Sequence, residues 1–166
     1  MRYPLFLDLT NQSAVVIGAG GVATRKIRLL LRAGAIVTVI SPEATPSIRR
    51  FAQTKRLRWL RRRYHRGDLR GARLAIAATD DSAVNQVICA EANRRKLLVN
   101  CIVPPSAGNF FVPSLVQRGG ISLAISTGGA SPAFAKRLRV DLEHFLGDEY
   151  PRLLKAMVAA RSAKKI

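Results

Sequence analysis

Acidic residues are scarce in this chain: 10 Asp and Glu stand against 28 Lys and Arg, a formal net charge of +18. An excess of one sign on that scale predicts something anionic nearby, but charge alone does not separate nucleic acid from a polyanionic small molecule or from a merely solvated face. Cysteine and histidine are nearly absent. Cys89 and Cys101 form no CxxC, and with His65 and His144 as the only imidazoles no zinc-ligand spacing can be written. A zinc module and a disulfide scaffold are excluded, and the two thiols are expected to stay reduced. No run reaches the roughly 18 to 20 consecutive apolar residues of a bilayer-spanning helix, so no membrane partner is expected. The apolar stretch 13–24 has the look of a secretory signal core, but Asp8, Asn11 and Gln12 precede it where basic residues belong, and a cytoplasmic protein is expected. Aromatics are few as well. The most basic segment, residues 49–73, holds eleven Lys and Arg against the single acid Asp68, yet offers only Phe51, Trp59 and Tyr64 for stacking on bases and no recognised nucleic-acid module. Nucleic acid is therefore not the expected partner.

What is present is the pattern of an ordinary globular chain. At 166 residues, 48% apolar and 23% charged, it has room for one α/β domain and a small appendage. The β-prone run 13–17 stops at a glycine turn, 18–23. Helical spacing of Val22, Ile27, Leu30 and Leu31 follows, Gly34 sits where a helix C-cap belongs, and a second apolar run covers 35–40. This is a βαβ unit, which requires a parallel sheet. The same reading places a short helix at 46–54, strands at 57–60, 74–78 and 97–102, and a helix at 82–96. Extended segments are expected at 109–114 and 120–126 around a turn at 118–120, and one long helix is expected to open at Ser131 as N-cap with Pro132 at N1. The fold class is thus α/β: a Rossmann-like doubly wound parallel sheet in residues 1–113, followed by a small helical region, 114–166, whose helical tail from 131 has too little chain for a core of its own and is best buried in a homodimer.

The set Gly18-x-Gly20-x-x-Ala23 is the dinucleotide fingerprint, with strand before and helix after as the chemistry requires. The first glycine permits the tight turn, the second admits a pyrophosphate, and the small third residue lets the helix sit close to the strand. The acid that grips a ribose hydroxyl is missing at the end of the second strand, where Ser41 and Pro42 precede Glu43, so the choice between NAD and NADP stays open. Thr79, Asp80 and Asp81 follow a central strand at the edge where open α/β sheets bind ligands. Either aspartate is a candidate base, and Asp81 or Ser82 is equally a candidate helix cap. Asn100 ends the next strand, within reach of a nicotinamide or a substrate, and the hydroxyl-rich turn from Ser126 and Thr127 to Ser131 has the geometry of an anion site.

Taken together, the blocks Val16–Lys26, Leu74–Asn85, Asn109–Ser114 and Ser126–Pro132 resemble, in order, those of precorrin-2 dehydrogenase, the dehydrogenase and ferrochelatase part of siroheme synthases. The resemblance implies a homodimer that oxidises precorrin-2, an octacarboxylate tetrapyrrole, to sirohydrochlorin with NAD, some members also inserting iron. It gives the basic charge a polycarboxylate ligand. It implies cofactor contacts at Gly18, Gly20, Gly21, Val22, Pro42, Glu43, Thr79 and Asp80, and substrate contacts at Asn100, Asn109, Ser126 and Thr127, with no resident metal. One position departs from the pattern. The family carries an aspartate central to catalysis or metal handling where this chain has Val103, which leaves Asp80 and Asp81 as candidate substitute bases. The alternative reading is a non-catalytic nucleotide-sensing regulatory domain of the kind that gates potassium channels.

Overall fold

Five strands pair side by side in the computed structural model, which describes residues 3–163. They are β1 (Ser13–Ile17), β2 (Ile36–Ile40), β3 (Arg58–Leu60), β4 (Leu74–Ala77) and β5 (Leu98–Cys101), all parallel, in the order β3-β2-β1-β4-β5. The register aligns their carboxyl ends: Ile17 faces Ile40 on one side and Ala77 on the other, and Ala77 faces Cys101. Helices α1 (Gly21–Arg32), α2 (Pro46–Gln53) and α3 (Ser82–Arg94) complete this first unit, Leu5–Phe111.

The runs of β1, β2 and β4 are apolar without alternation because both faces of the sheet are covered. Ala14 and Val16 pack with Ile27, Leu30 and Ile48 of α1 and α2, while Val15 and Ile17 pack with Ile88 and Ala92 of α3 and with Leu69. Ile27 and Ile88 are wholly buried, so truncating either to Ala costs about 2–5 kcal/mol. Cys89 and Cys101 lie in the second of these cores as free thiols, and burial together with the neighbouring Cys101 thiol pushes Cys89 up to about 12. At the sheet edge, β3 is short and flanked by arginine, which blunts an otherwise unpaired strand.

The second unit begins at Val112. Strands β6 (Ser114–Arg118) and β7 (Ile121–Ile125) form an antiparallel hairpin closed by Gly119 and Gly120, both at positive φ (52° and 91°), as a tight two-residue hairpin turn requires. The expected extended segment at 109–114 is displaced: residues 109–113 are irregular because Asn109 and Phe110 both bond their N–H to Val99 O, and the hairpin starts only at Ser114. Ser131 does cap a helix, accepting from Phe134 N at 3.1 Å with Pro132 in the first turn. The single long helix, however, is two: α4 (Pro132–Phe145) and α5 (Glu149–Ala163). Arg118 causes the break by donating to the carbonyls of Glu143 (3.3 Å) and Leu146 and pairing with Asp148 at 2.8 Å, so that α4 is capped by a side chain from the hairpin. The unit also has a small core that the sequence did not suggest, formed by Val116, Ile125, Ala135 and Leu146, but α5 buries none of its residues. Among the described residues no helix is long and apolar enough to cross a membrane.

Candidate functional site

Chain connections leave β1 toward β2 on one side, while β4 and β5 lie on the other, so the carboxyl ends of β1 and β4 border the crevice where doubly wound sheets take ligands. Gly18 opens that crevice. Its N–H donates to Ile40 O at 2.9 Å and its φ is +98°, and a Cβ there would stand 2.1 Å from Ala78 O. The turn is therefore pressed against the end of β4 as only glycine allows. Gly20 and Gly21 differ from it: a Cβ at either would meet nothing within 4 Å. Ala23 is buried beneath them, so α1 packs close to the sheet, while Val22 projects outward. No side chain caps α1 and no acid lies in its first turn, which leaves its positive end available to an anion. The turn is braced from the side by Thr24, whose hydroxyl bonds Gly20 O and Thr45 Oγ1, each at 2.9 Å, and by Thr45 N–H to Ala19 O. Lys26 is half-buried one turn on. Burial, and secondly the Arg25 charge, hold its ammonium below the usual lysine range.

At the ribose end, Ser41 occupies the position of the missing acid with both backbone groups engaged, its N–H by Leu60 O and its carbonyl by the Trp59 indole. Pro42 and Glu43 follow, both exposed.

The ends of β4 and β5 are joined by a residue to which the sequence gave no role. Asn85, fully buried in α3, accepts from Thr79 N–H (3.1 Å) and Thr79 Oγ1 (2.8 Å) and donates to the carbonyls of Thr79 (3.0 Å) and Val103 (3.2 Å). The signal for it was its place at the end of the family-like block Leu74–Asn85, one helical turn after Asp81. Asp81 is the α3 cap, accepting from Ala83 N and Val84 N, whereas the exposed Asp80 carboxylate makes no hydrogen bond among the described residues. Val103 lies just past β5, tied through its carbonyl to Asn85, with its side chain 51% exposed.

Asn100 and Asn109 behave differently from each other. Asn100 donates to Phe110 O, but its buried Oδ1 has no partner among the described residues, an acceptor left over at the carboxyl half of β5. Asn109 accepts from Val99 N and donates to Leu97 O and Asn93 Oδ1, so both ends of its amide are engaged in folding the chain back onto β5. In the second unit, Thr127 Oγ1 is tied to the Ser131 backbone, and Ser126 Oγ accepts from Gly128 N.

The basic segment is not gathered at the glycine turn. Its arginines lie on α2, on β3 and in the loop 61–73, which runs from β3 across to β4 and packs against α3. Acids pin that loop down. Arg62 forks onto Asp68 at 2.7 and 2.8 Å, and the buried Glu91 of α3 accepts from Tyr64 OH (2.5 Å), Gly67 N–H (3.1 Å) and Arg95 Nε (2.9 Å). Burial alone would raise the Glu91 carboxyl, but these bonds outweigh it and hold it below the usual carboxylate range. Burial, and secondly the bond to Glu91, push the Tyr64 phenol upward. A group depressed in the folded state adds stability above its unfolded pKa and loses it as pH falls through the folded value. Urea unfolding is thus expected to show Glu91→Gln destabilised by about 1–3 kcal/mol at pH 7, with a shallower loss than the parent below pH ~4.5. Parallel acid limbs for the two proteins would contradict this. Among the described residues no group of three His, Cys, Asp or Glu could hold a metal ion.

Residues 5–114 match the family described as putative NAD(P)-binding, and residues 118–144 the family described as sirohaem biosynthesis protein, central. The chain is 39% identical over 162 residues to a siroheme synthase of Methylobacillus flagellatus, covering 98% of this chain and 35% of that protein. It is 33% identical over 147 residues to the precorrin-2 dehydrogenase of Bacillus subtilis, covering 89% of this chain and 90% of that protein. The solved structure of "SirC, precorrin-2 dehydrogenase" matches with a TM-score of 0.84 at 34% identity, over 97% of this chain and 79% of that one. The chain therefore spans about a third of the siroheme synthases it matches and nearly all of the Bacillus dehydrogenase.

Proposed function

The chain belongs to the precorrin-2 dehydrogenase and siroheme synthase family, and from that premise we propose that it oxidises precorrin-2 to sirohydrochlorin, the substrate giving up a hydride and a proton. The observation that carries the proposal is the glycine turn at the β1–β4 switch point, where Gly20 and Gly21 leave a cradle free of side chains over the open end of α1. That cradle fits a dinucleotide pyrophosphate. Gly18, Gly20, Gly21 and Val22 would hold it, Pro42 and Glu43 would meet the adenosine ribose, and Thr79 and Asp80 would border the nicotinamide half. NAD, when bound, supplies the hydride acceptor. Asn100, with its unpartnered Oδ1, is the favoured substrate or nicotinamide contact in the first unit; within the second unit Ser126 is the better of the two hydroxyl candidates, because that of Thr127 is tied to the Ser131 backbone. Asn109 is the weakest of the substrate candidates because its amide is already engaged.

For the proton, Asp80 is the first candidate base, since its carboxylate is exposed and unbonded. Asp81 is the second because capping α3 occupies one of its oxygens. A cytoplasmic homodimer completes the proposal. It is supported by Phe145, Leu153, Met157 and Val158 on α4 and α5, apolar side chains each more than half exposed. A purely nucleotide-sensing domain would not be expected to continue into residues matched to a sirohaem biosynthesis protein.

Anaerobic incubation with precorrin-2 and NAD is expected to produce the absorption spectrum of sirohydrochlorin. The Gly20→Asp variant places a carboxylate in the cradle without steric conflict, so it is expected to fold normally, to show no NAD binding by calorimetry and to make no product. Unchanged NAD affinity in a folded variant would refute the cofactor placement.

A further inference from the structure

The outer side of α1 and α2 holds a hollow of about 480 Å³ lined by Arg28, Ser47, Arg50, Phe51, Thr54 and Arg56. This size is in the range of pockets for small ligands, roughly 300–1,000 Å³. Its lining contains three guanidinium groups and no carboxylate, and none of the three is in an ion pair among the described residues. Acids engage Arg62, Arg95, Arg118, Arg137 and Arg139, whereas the three arginines that converge on this hollow keep their charge uncompensated among the described residues.

Two of the three are also held in position. Arg28 donates to Ser47 Oγ at 3.0 Å, which leaves the Ser47 hydroxyl proton free to be donated onward, and the Arg56 guanidinium stacks 5.0 Å from the centre of the Phe51 ring. Such bracing lowers the entropy lost when a ligand is gripped. The hollow is not the cofactor crevice. Arg28 lies eight residues beyond Gly20 along α1, about 12 Å at the helical rise, in the direction away from the carboxyl ends of the strands.

We propose that this hollow is a second anion site that takes a chain of phosphoryl groups, a di- or triphosphate either free or carried by a nucleotide. Each guanidinium fork donates to two oxygens in one plane, so three forks and a hydroxyl donor call for many acceptor oxygens in a small volume. A phosphoryl chain supplies them, with a charge that matches three arginines. An isolated carboxylate presents only two.

The test is calorimetry with tripolyphosphate, ATP and citrate, performed on the full chain and on the Gly20→Asp variant, in which the glycine turn is out of play. Tripolyphosphate is expected to bind with one-to-one stoichiometry to both, and citrate at least tenfold more weakly. Equal affinity for ATP and tripolyphosphate would identify the free phosphate chain as the ligand, and tighter ATP binding a nucleotide. The double variant Arg28→Gln/Arg50→Gln, altering two exposed side chains, should keep its NAD affinity while losing tripolyphosphate affinity at least tenfold. A charge-matched control, Arg66→Gln/Arg70→Gln at the separate basic hollow beside Glu91, should change it less than twofold. Citrate binding as tightly as tripolyphosphate, or equal losses in the two double variants, would show that net charge alone attracts the anion and would overturn the site.

Discussion

Gly18→Ala is expected to unfold about 5–20 °C below the parent. A non-glycine residue held at positive φ costs about 1–3 kcal/mol, and overpacking against neighbouring atoms a further 1–3 kcal/mol or so. Each kcal/mol lowers the melting temperature of a chain of this size by about 2–4 °C. Both terms apply here because φ at Gly18 is +98° and the added carbon would sit 2.1 Å from Ala78 O and 2.9 Å from Thr79 N, backbone atoms that cannot rotate aside. Relief requires β1 and β4 to part at their carboxyl ends, and NAD affinity should fall together with stability. Gly20→Ala is the internal comparison. Its added carbon meets nothing within 4 Å and its φ of −77° suits any residue, so thermal unfolding should match the parent to within about 0.5 kcal/mol. If the two variants melt alike, the turn is not braced against β4 as described.

These two glycines also mark what the sequence can and cannot reveal. The fingerprint spacing identified the turn, but not that Gly18 faces backbone while Gly20 faces open space, a difference set by β4, far along the chain. The parallel sheet was legible because strands buried on both faces must read as unbroken apolar runs, as 13–17, 36–40 and 74–77 do. The split between α4 and α5 was not. Apolar residues continue at helical spacing through Leu138, Leu142 and Leu146 to Tyr150 and Leu154, and the interruption comes from Arg118, a residue of the hairpin about thirty positions earlier. Glu91 misleads for a related reason. A glutamate in a helix reads as solvent-facing; Arg95, four residues on, is a legible partner, but only the fold of loop 61–73 brings the Tyr64 and Gly67 donors that help bury it. The charge of segment 49–73 was plain from composition, but its distribution over α2, β3 and a loop that crosses to α3 depends on strand order.

Val103→Asp is expected to raise the rate of sirohydrochlorin formation at least about tenfold, less than the 10²–10⁴ that a well-placed general base contributes because Asp80 is available as a substitute. The structure makes the substitution a clean one. The Val103 side chain is half exposed, so a carboxylate there needs no burial, and the bond from Asn85 reaches the backbone carbonyl of residue 103, which the change leaves intact. Stability should move by no more than about 0.5 kcal/mol, and the NAD dissociation constant should hardly change, because the glycine turn is untouched. Asn85 bonds both the Val103 carbonyl and Thr79, the residue before Asp80, so the new carboxylate and Asp80 follow two strand ends joined by one side chain. Val103→Asn separates charge and proton acceptance from shape: it should leave the rate at the parental level. Asp80→Asn should slow the parent markedly but the Val103→Asp variant only slightly, since a base at 103 makes the substitute redundant. A parent that already turns over briskly, together with a Val103→Asp variant no faster, would mean that proton removal in this chain does not pass through residue 103.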